Sequence, residues 1–147
     1  MKTLGLFFFL PFILSGNIWL TNLDQAEQAA QKEQKFILLN FSGSDWCGPC
    51  IRMHKDILDS DVFLQLAQKK LVLVNADFPR LKKNQLSKSQ QQINDRIADQ
   101  YNPKGIFPLT LLLDDHGKVL RTWEGYYQAG AYQFTDEVKT LLQNNAN

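Results

Sequence analysis

The 147 residues predict an α/β fold, a central mixed β-sheet flanked by helices, in a single domain. Three observations carry this. Short apolar runs of strand length, Phe36–Phe41, Leu71–Val74 and Leu109–Leu113, alternate with stretches whose apolar residues recur at helical spacing. The turn signal Asp114-Asp115-His116-Gly117 folds the third run back onto Val119–Trp123, so at least one pair is antiparallel. The length leaves room for one sizeable core, and 44% hydrophobic with 21% charged residues is a globular balance rather than a disordered one.

The chain opens on Lys2 and an almost unbroken apolar run from Leu4 to Leu14, followed by Ser15, Gly16 and Asn17. A charged start, a short apolar stretch and a small-residue boundary describe a secretory signal peptide over residues 1–16, with the folded domain over 17–147. The alternative is a membrane anchor continuing through Ile18, Trp19 and Leu20. Pro11 and the shortness of the run weigh against it, because a spanning helix needs ~20 apolar residues.

Leu23, Ala26 and Ala30 follow the capping candidates Thr21 and Asn22 and predict a first helix. Phe36–Phe41 is a buried strand interrupted only by Asn40. Ser42 to Asp45 form a turn, and Ile51, Met53, Ile57 and Leu58 continue as a helix after Trp46-Cys47-Gly48-Pro49-Cys50. Asp59 and Ser60 interrupt it, and Val62, Phe63 and Leu66 begin another helical piece. Leu71–Val74 is the next strand, closed by Asn75, Asp77 and Pro79. Arg80–Gln92 is polar and basic and reads as an exposed connection leading into a helix around Ile93, Ile97 and Tyr101. Phe134, Val138 and Leu141 predict a C-terminal helix that frays from Gln143.

A net charge of +1 without an Arg/Lys-rich block gives no footprint for nucleic acid. Cys47 and Cys50 are the entire thiol inventory. A disulfide framework uses more cysteines, further apart. Zinc would need two further ligands, and the only histidines, His54 and His116, lack ligand-pair spacing, so no metal is expected. Redox chemistry is the reading left. The attacking species in thiol–disulfide exchange is a thiolate, and Cys47 sits where a strand and turn open into a helix, whose positive end favours ionisation. Cys50 follows about one helical turn later, close enough to resolve a mixed disulfide at Cys47. Gly48 and Pro49 fit the first turn, and Trp46 supplies a flat edge beside the thiol.

Trp46-Cys47-Gly48-Pro49-Cys50 resembles the thioredoxin active-site motif, and Gly105-Ile106-Phe107-Pro108 resembles the segment carrying that superfamily's cis-proline. Asp114–Gly117 with Lys118 is similar to the hairpin of exported thioredoxin-like proteins. The resemblance spans roughly residues 18 to 142, with Arg80–Gln92 as an insertion. It implies a thioredoxin-like fold, a cis bond before Pro108, and a substrate chain paired with the backbone of Phe107. It further implies a periplasmic or secreted thiol–disulfide oxidoreductase that acts on cysteine-containing exported proteins without a cofactor. Gly-Pro between the cysteines resembles reducing members, whose electrons would come from a membrane thiol carrier; the expected state is a monomer. The rivals are a dedicated single-client reductase, as in cytochrome maturation, and a redox-inert interaction module.

Three positions depart from the thioredoxin pattern. Asn40 stands where that family has a buried Asp, Leu73 where it has the partner Lys, and Leu109 where a Thr follows the cis-proline. Without the Asp–Lys pair, proton transfer is expected through water or Asp45. His54, one turn past Cys50 on the same helical face, reads as a packing or surface residue, with a catalytic role as the alternative; His116 reads as a turn residue, and Trp123, Tyr126 and Tyr127 as core and edge aromatics. The Asn40-Phe41-Ser42 sequon falls in a buried strand and is discounted.

Overall fold

A computed structural model describes residues 18–146. The expected signal peptide, residues 1–16, lies outside the described residues. Five strands form one mixed sheet in the order β1-β3-β2-β4-β5: β1 (Trp19–Leu20), β2 (Phe36–Ser42), β3 (Leu71–Asp77), β4 (Leu109–Leu113) and β5 (Val119–Glu124). β1 and β2 both run parallel to β3, whereas β4 is antiparallel to β2 and to β5.

Alternation along the central strands sorts side chains into two cores. Ile37, Leu39, Phe41, Val72 and Val74 face one side and bury α1 (Leu23–Glu33) and α4 (Lys88–Tyr101) through Ala26, Ala30 and Ile97. Leu38, Leu71, Leu73 and Leu112 face the other side. There they meet α2 (Gly48–Met53), its π-helical continuation His54–Leu58, α3 (Asp61–Lys70) and α5 (Ala131–Asn145). Phe134 anchors this second layer, fully buried against Phe63, Trp123 and Tyr127 at centroid distances of 5.0–5.8 Å. Each such buried side chain contributes about 1.5–3 kcal/mol relative to exposure.

Several boundaries differ from the sequence reading, each for a local reason. β1 was not expected as a strand; two residues suffice because Trp19 and Leu20 pair in parallel with Leu73 and Val74. β3 does not end at Val74 but runs through Asn75 to Asp77, since β2 continues beside it as far as Ser42. α4 starts at Lys88 rather than after Gln92, because the Ser87 hydroxyl caps the Gln90 amide at 3.1 Å. α5 remains helical through Asn145 instead of fraying at Gln143. The helix after Cys50 widens at His54, where the Asp59 amide donates to the His54 carbonyl at 2.8 Å, an i to i+5 bond.

Candidate active site

β2 ends at Ser42, and the chain reverses through a turn in which the Gly43 carbonyl accepts from the amides of Trp46 and Cys47 at 3.2 and 2.9 Å. Glycine is required there: a Cβ on Gly43 would collide with the Trp46 indole. Cys47 is the N-cap of α2, with extended backbone at φ −97°, and its sulfur accepts from the Cys50 amide at 3.3 Å. Gly48 and Pro49 form the exposed first turn. The two sulfurs are bonded, 2.10 Å apart, with the Cα atoms 5.2 Å apart. Cys47 is 5% exposed and Cys50 1%, so the capping residue is the less buried of the two. When the bond is open, the same amide and the helix terminus favour negative charge on Cys47.

The Phe107–Pro108 bond is cis. Because Phe41 pairs with Leu109, Pro108 enters the sheet at the end of β2 that leads into the dithiol turn. Phe107 meets Trp46 edge-on at 5.5 Å and Phe78 at 5.6 Å. The Trp46 indole N–H donates to the Phe78 carbonyl at 2.7 Å, and the Arg80 guanidinium lies 3.7 Å above the indole. The structure thus brings Phe107 against Trp46, the residue before Cys47, and adds Phe78 and Arg80, which sequence reasoning missed.

Asp45 is held by the segment that follows Pro79. Its carboxylate accepts from the amides of Arg80 and Leu81 and from the Asn84 side chain at 2.9–3.0 Å. Those bonds, the Arg80 amide foremost, hold its carboxyl below the usual range. Asp45 therefore pins the start of the inserted segment and with it the position of Arg80. A second carboxylate, Asp77, ties down the preceding turn through the Ser44 amide at 2.8 Å and the Ser42 hydroxyl at 3.2 Å. These partners lie more than 30 residues apart, beyond any local sequence signal.

A family profile described as thioredoxin-like matches residues 18–114. The chain belongs to the thioredoxin-like family. It is 34% identical over 131 residues to the disulfide bond reductase DsbH of Chlamydia pneumoniae, covering 89% of this chain and 76% of that protein. A solved DsbH oxidoreductase superposes with a TM-score of 0.77 at 32% identity, over 97% of this chain and 95% of the other. A disulphide isomerase from Xylella fastidiosa Temecula1 shares the fold, with a TM-score of 0.60 at 21% identity over 88% of this chain and 97% of that one. With its Cys-x-x-Cys pair at disulfide distance, this thioredoxin-like chain is a thiol–disulfide oxidoreductase.

Within that family, the departure at Asn40 has a structural counterpart. Asn75, Asn40 and Thr110 stand side by side on β3, β2 and β4, a polar row crossing three strands. Asn40 and Thr110 are fully buried, and the Asn40 amide donates to the Thr110 hydroxyl at 2.9 Å. Asn40 being fully buried, its sequon is inaccessible in the folded chain. His54 is not a surface residue: its Nε2 lies 3.0 Å from Asn40 Oδ1, and its ring rests 5.2 Å from that of Trp19. Leu73 packs in the second core. His116 does sit in the hairpin turn, with Asp114 accepting from the amides of His116 and Lys118 at 2.9 Å.

Proposed function

We propose that this protein reduces disulfides of cysteine-containing exported proteins, with Cys47 as the attacking and Cys50 as the resolving thiol. The observation that carries this reading is the Cys47–Cys50 disulfide at a helix start, with the sulfur of the less buried cysteine accepting the helix's own amide. Cys47 thiolate attacks one client sulfur, expelling the other as a thiolate; Cys50 then attacks Cys47 and releases the second client sulfur. Two electrons pass to the client, and the Cys47–Cys50 disulfide is left behind.

Trp46, Gly48, Pro49, Phe107 and Pro108 form the client-binding rim, and the Phe107 backbone pairs with the client chain. Support comes from the edge-on Trp46–Phe107 contact and the exposure of Gly48 and Pro49. Similarity to a disulfide bond reductase favours the reducing direction. The leader-like N-terminus supports a periplasmic or secreted site of action, with electrons supplied by a membrane thiol carrier. Among the described residues, no helix is long and apolar enough to cross a membrane.

The test is single-turnover reduction of a protein disulfide by the pre-reduced protein. Wild type is expected to transfer two electrons per chain, and Cys47→Ser none. Equal activity in Cys47→Ser would overturn the assignment, and no transfer by wild type to any protein disulfide would favour an interaction module.

A further inference from the structure

The resolving step poses a chemical problem that the fold answers. Cys50 is 1% exposed, yet it must lose a proton to attack. An open cavity of about 330 Å³ reaches it, bounded by Ser42, Ser44, Ile51, His54, Asp59 and Asn75 among others. A space of that size admits solvent, which can carry a proton across it. The charged side chains on its wall, Lys55 and Asp59, belong to exposed residues. His54 is the half-buried titratable group that shares the cavity with Cys50.

The hydrogen bonds of His54 fix which nitrogen is free. Asn40 offers its oxygen to His54, because its amide nitrogen is committed to the Thr110 hydroxyl and the Leu109 carbonyl. Nε2 must then carry the hydrogen, which leaves Nδ1 with its lone pair. Asn75 lines the same cavity, and among the described residues its buried Oδ1 has no hydrogen-bond partner, an acceptor suited to a protonated ring.

We propose that His54 is the base for the resolving thiol, taking the Cys50 proton through the shared cavity as Cys50 attacks the mixed disulfide. This rests on the reading of Cys50 as the resolving thiol. The balance is simple: the Cys50–Cys47 bond forms, the Cys47–client bond breaks, the client sulfur leaves with the electron pair, and the proton ends on His54 Nδ1. Asn40 and Asn75 act as positioning residues, one fixing the tautomer and the other receiving the imidazolium. Burial lowers the imidazole pKa, against the raising effects of Asp59, Asp77 and the Asn75 amide, a shift that favours the neutral, proton-accepting ring. The charged groups around it are Asp59 and Lys55 on its own segment and Asp77 on β3; β2 presents Asn40 and β1 Trp19.

A symmetrical aryl disulfide reporter separates the two steps. Attack by Cys47 releases one coloured thiolate, and resolution by Cys50 releases the second. His54→Gln keeps a donor for Asn40. It is expected to leave the first release within about twofold and to slow the second by roughly tenfold or more at pH 7. The defect should shrink as pH approaches that of free thiol ionisation, a rescue that a merely structural role would not give. In wild type, the second release should follow the neutral fraction of His54, its lower inflection matching the imidazole pKa measured by NMR. An unchanged second release in His54→Gln, or an inflection unrelated to His54, would overturn the proposal while leaving Cys50 as resolver. A second release that persists at full rate in Cys50→Ser would instead overturn the resolving role itself.

Discussion

Asn40 shows how far a single residue could be read before the structure. Its place in a buried strand was legible from the length of the apolar run, and the missing acid from the resemblance to the thioredoxin pattern. What replaces the acid was not, because His54, Asn75 and Thr110 reach Asn40 from a helix and two other strands. The contact predicts the behaviour of Asn40→Asp. The Thr110 hydroxyl can turn to donate to a carboxylate, so the row survives. A charge 3.0 Å from Nε2 should raise the His54 pKa, read by NMR titration. The stability profile should follow. With its pKa depressed, wild-type His54 binds protons more readily when unfolded, so stability falls as pH drops from the ordinary imidazole value to the folded one. With the pKa raised above its unfolded value, the variant should instead lose stability as pH rises through the folded pKa. An unaltered His54 titration in folded Asn40→Asp would show that the two side chains do not meet.

At the scale of elements, the strands and most helices were legible because their apolar periodicity is strong and local. β1 was not, since two residues carry no period. The inserted Arg80–Gln92 segment was recognised by composition, but its attachment through Asp45 was invisible. Asp45→Ala should therefore loosen the segment without unfolding the domain. The Arg80 and Leu81 amides should exchange with solvent about tenfold faster or more, as expected when a local opening becomes easier. Wild type should show the same loosening on acidification. The Asp45 pKa is depressed, so its contribution is present above the unfolded carboxyl value and is lost as pH falls through the lower folded value. Unchanged exchange at both amides in Asp45→Ala would mean that other contacts hold the segment.

Over the whole molecule, the sheet places three things at one end: the turn after β2, the proline before β4 and the end of β3 that carries Asn75 and Asp77. Strand order made this juxtaposition, and no periodicity encodes strand order. The motif alone located the dithiol; the topology adds the aromatic rim on one side and the histidine-lined cavity on the other. The proposed exchange turns on one asymmetry, that Cys47 meets the client and Cys50 meets Cys47. Intact mass spectrometry of Cys50→Ser and Cys47→Ser, each pre-reduced and mixed with a disulfide-bearing exported protein, reads that asymmetry directly. Cys50→Ser should accumulate a client adduct mapped to Cys47, while Cys47→Ser remains free. Adducts on Cys50 in Cys47→Ser, with none on Cys47 in Cys50→Ser, would contradict it.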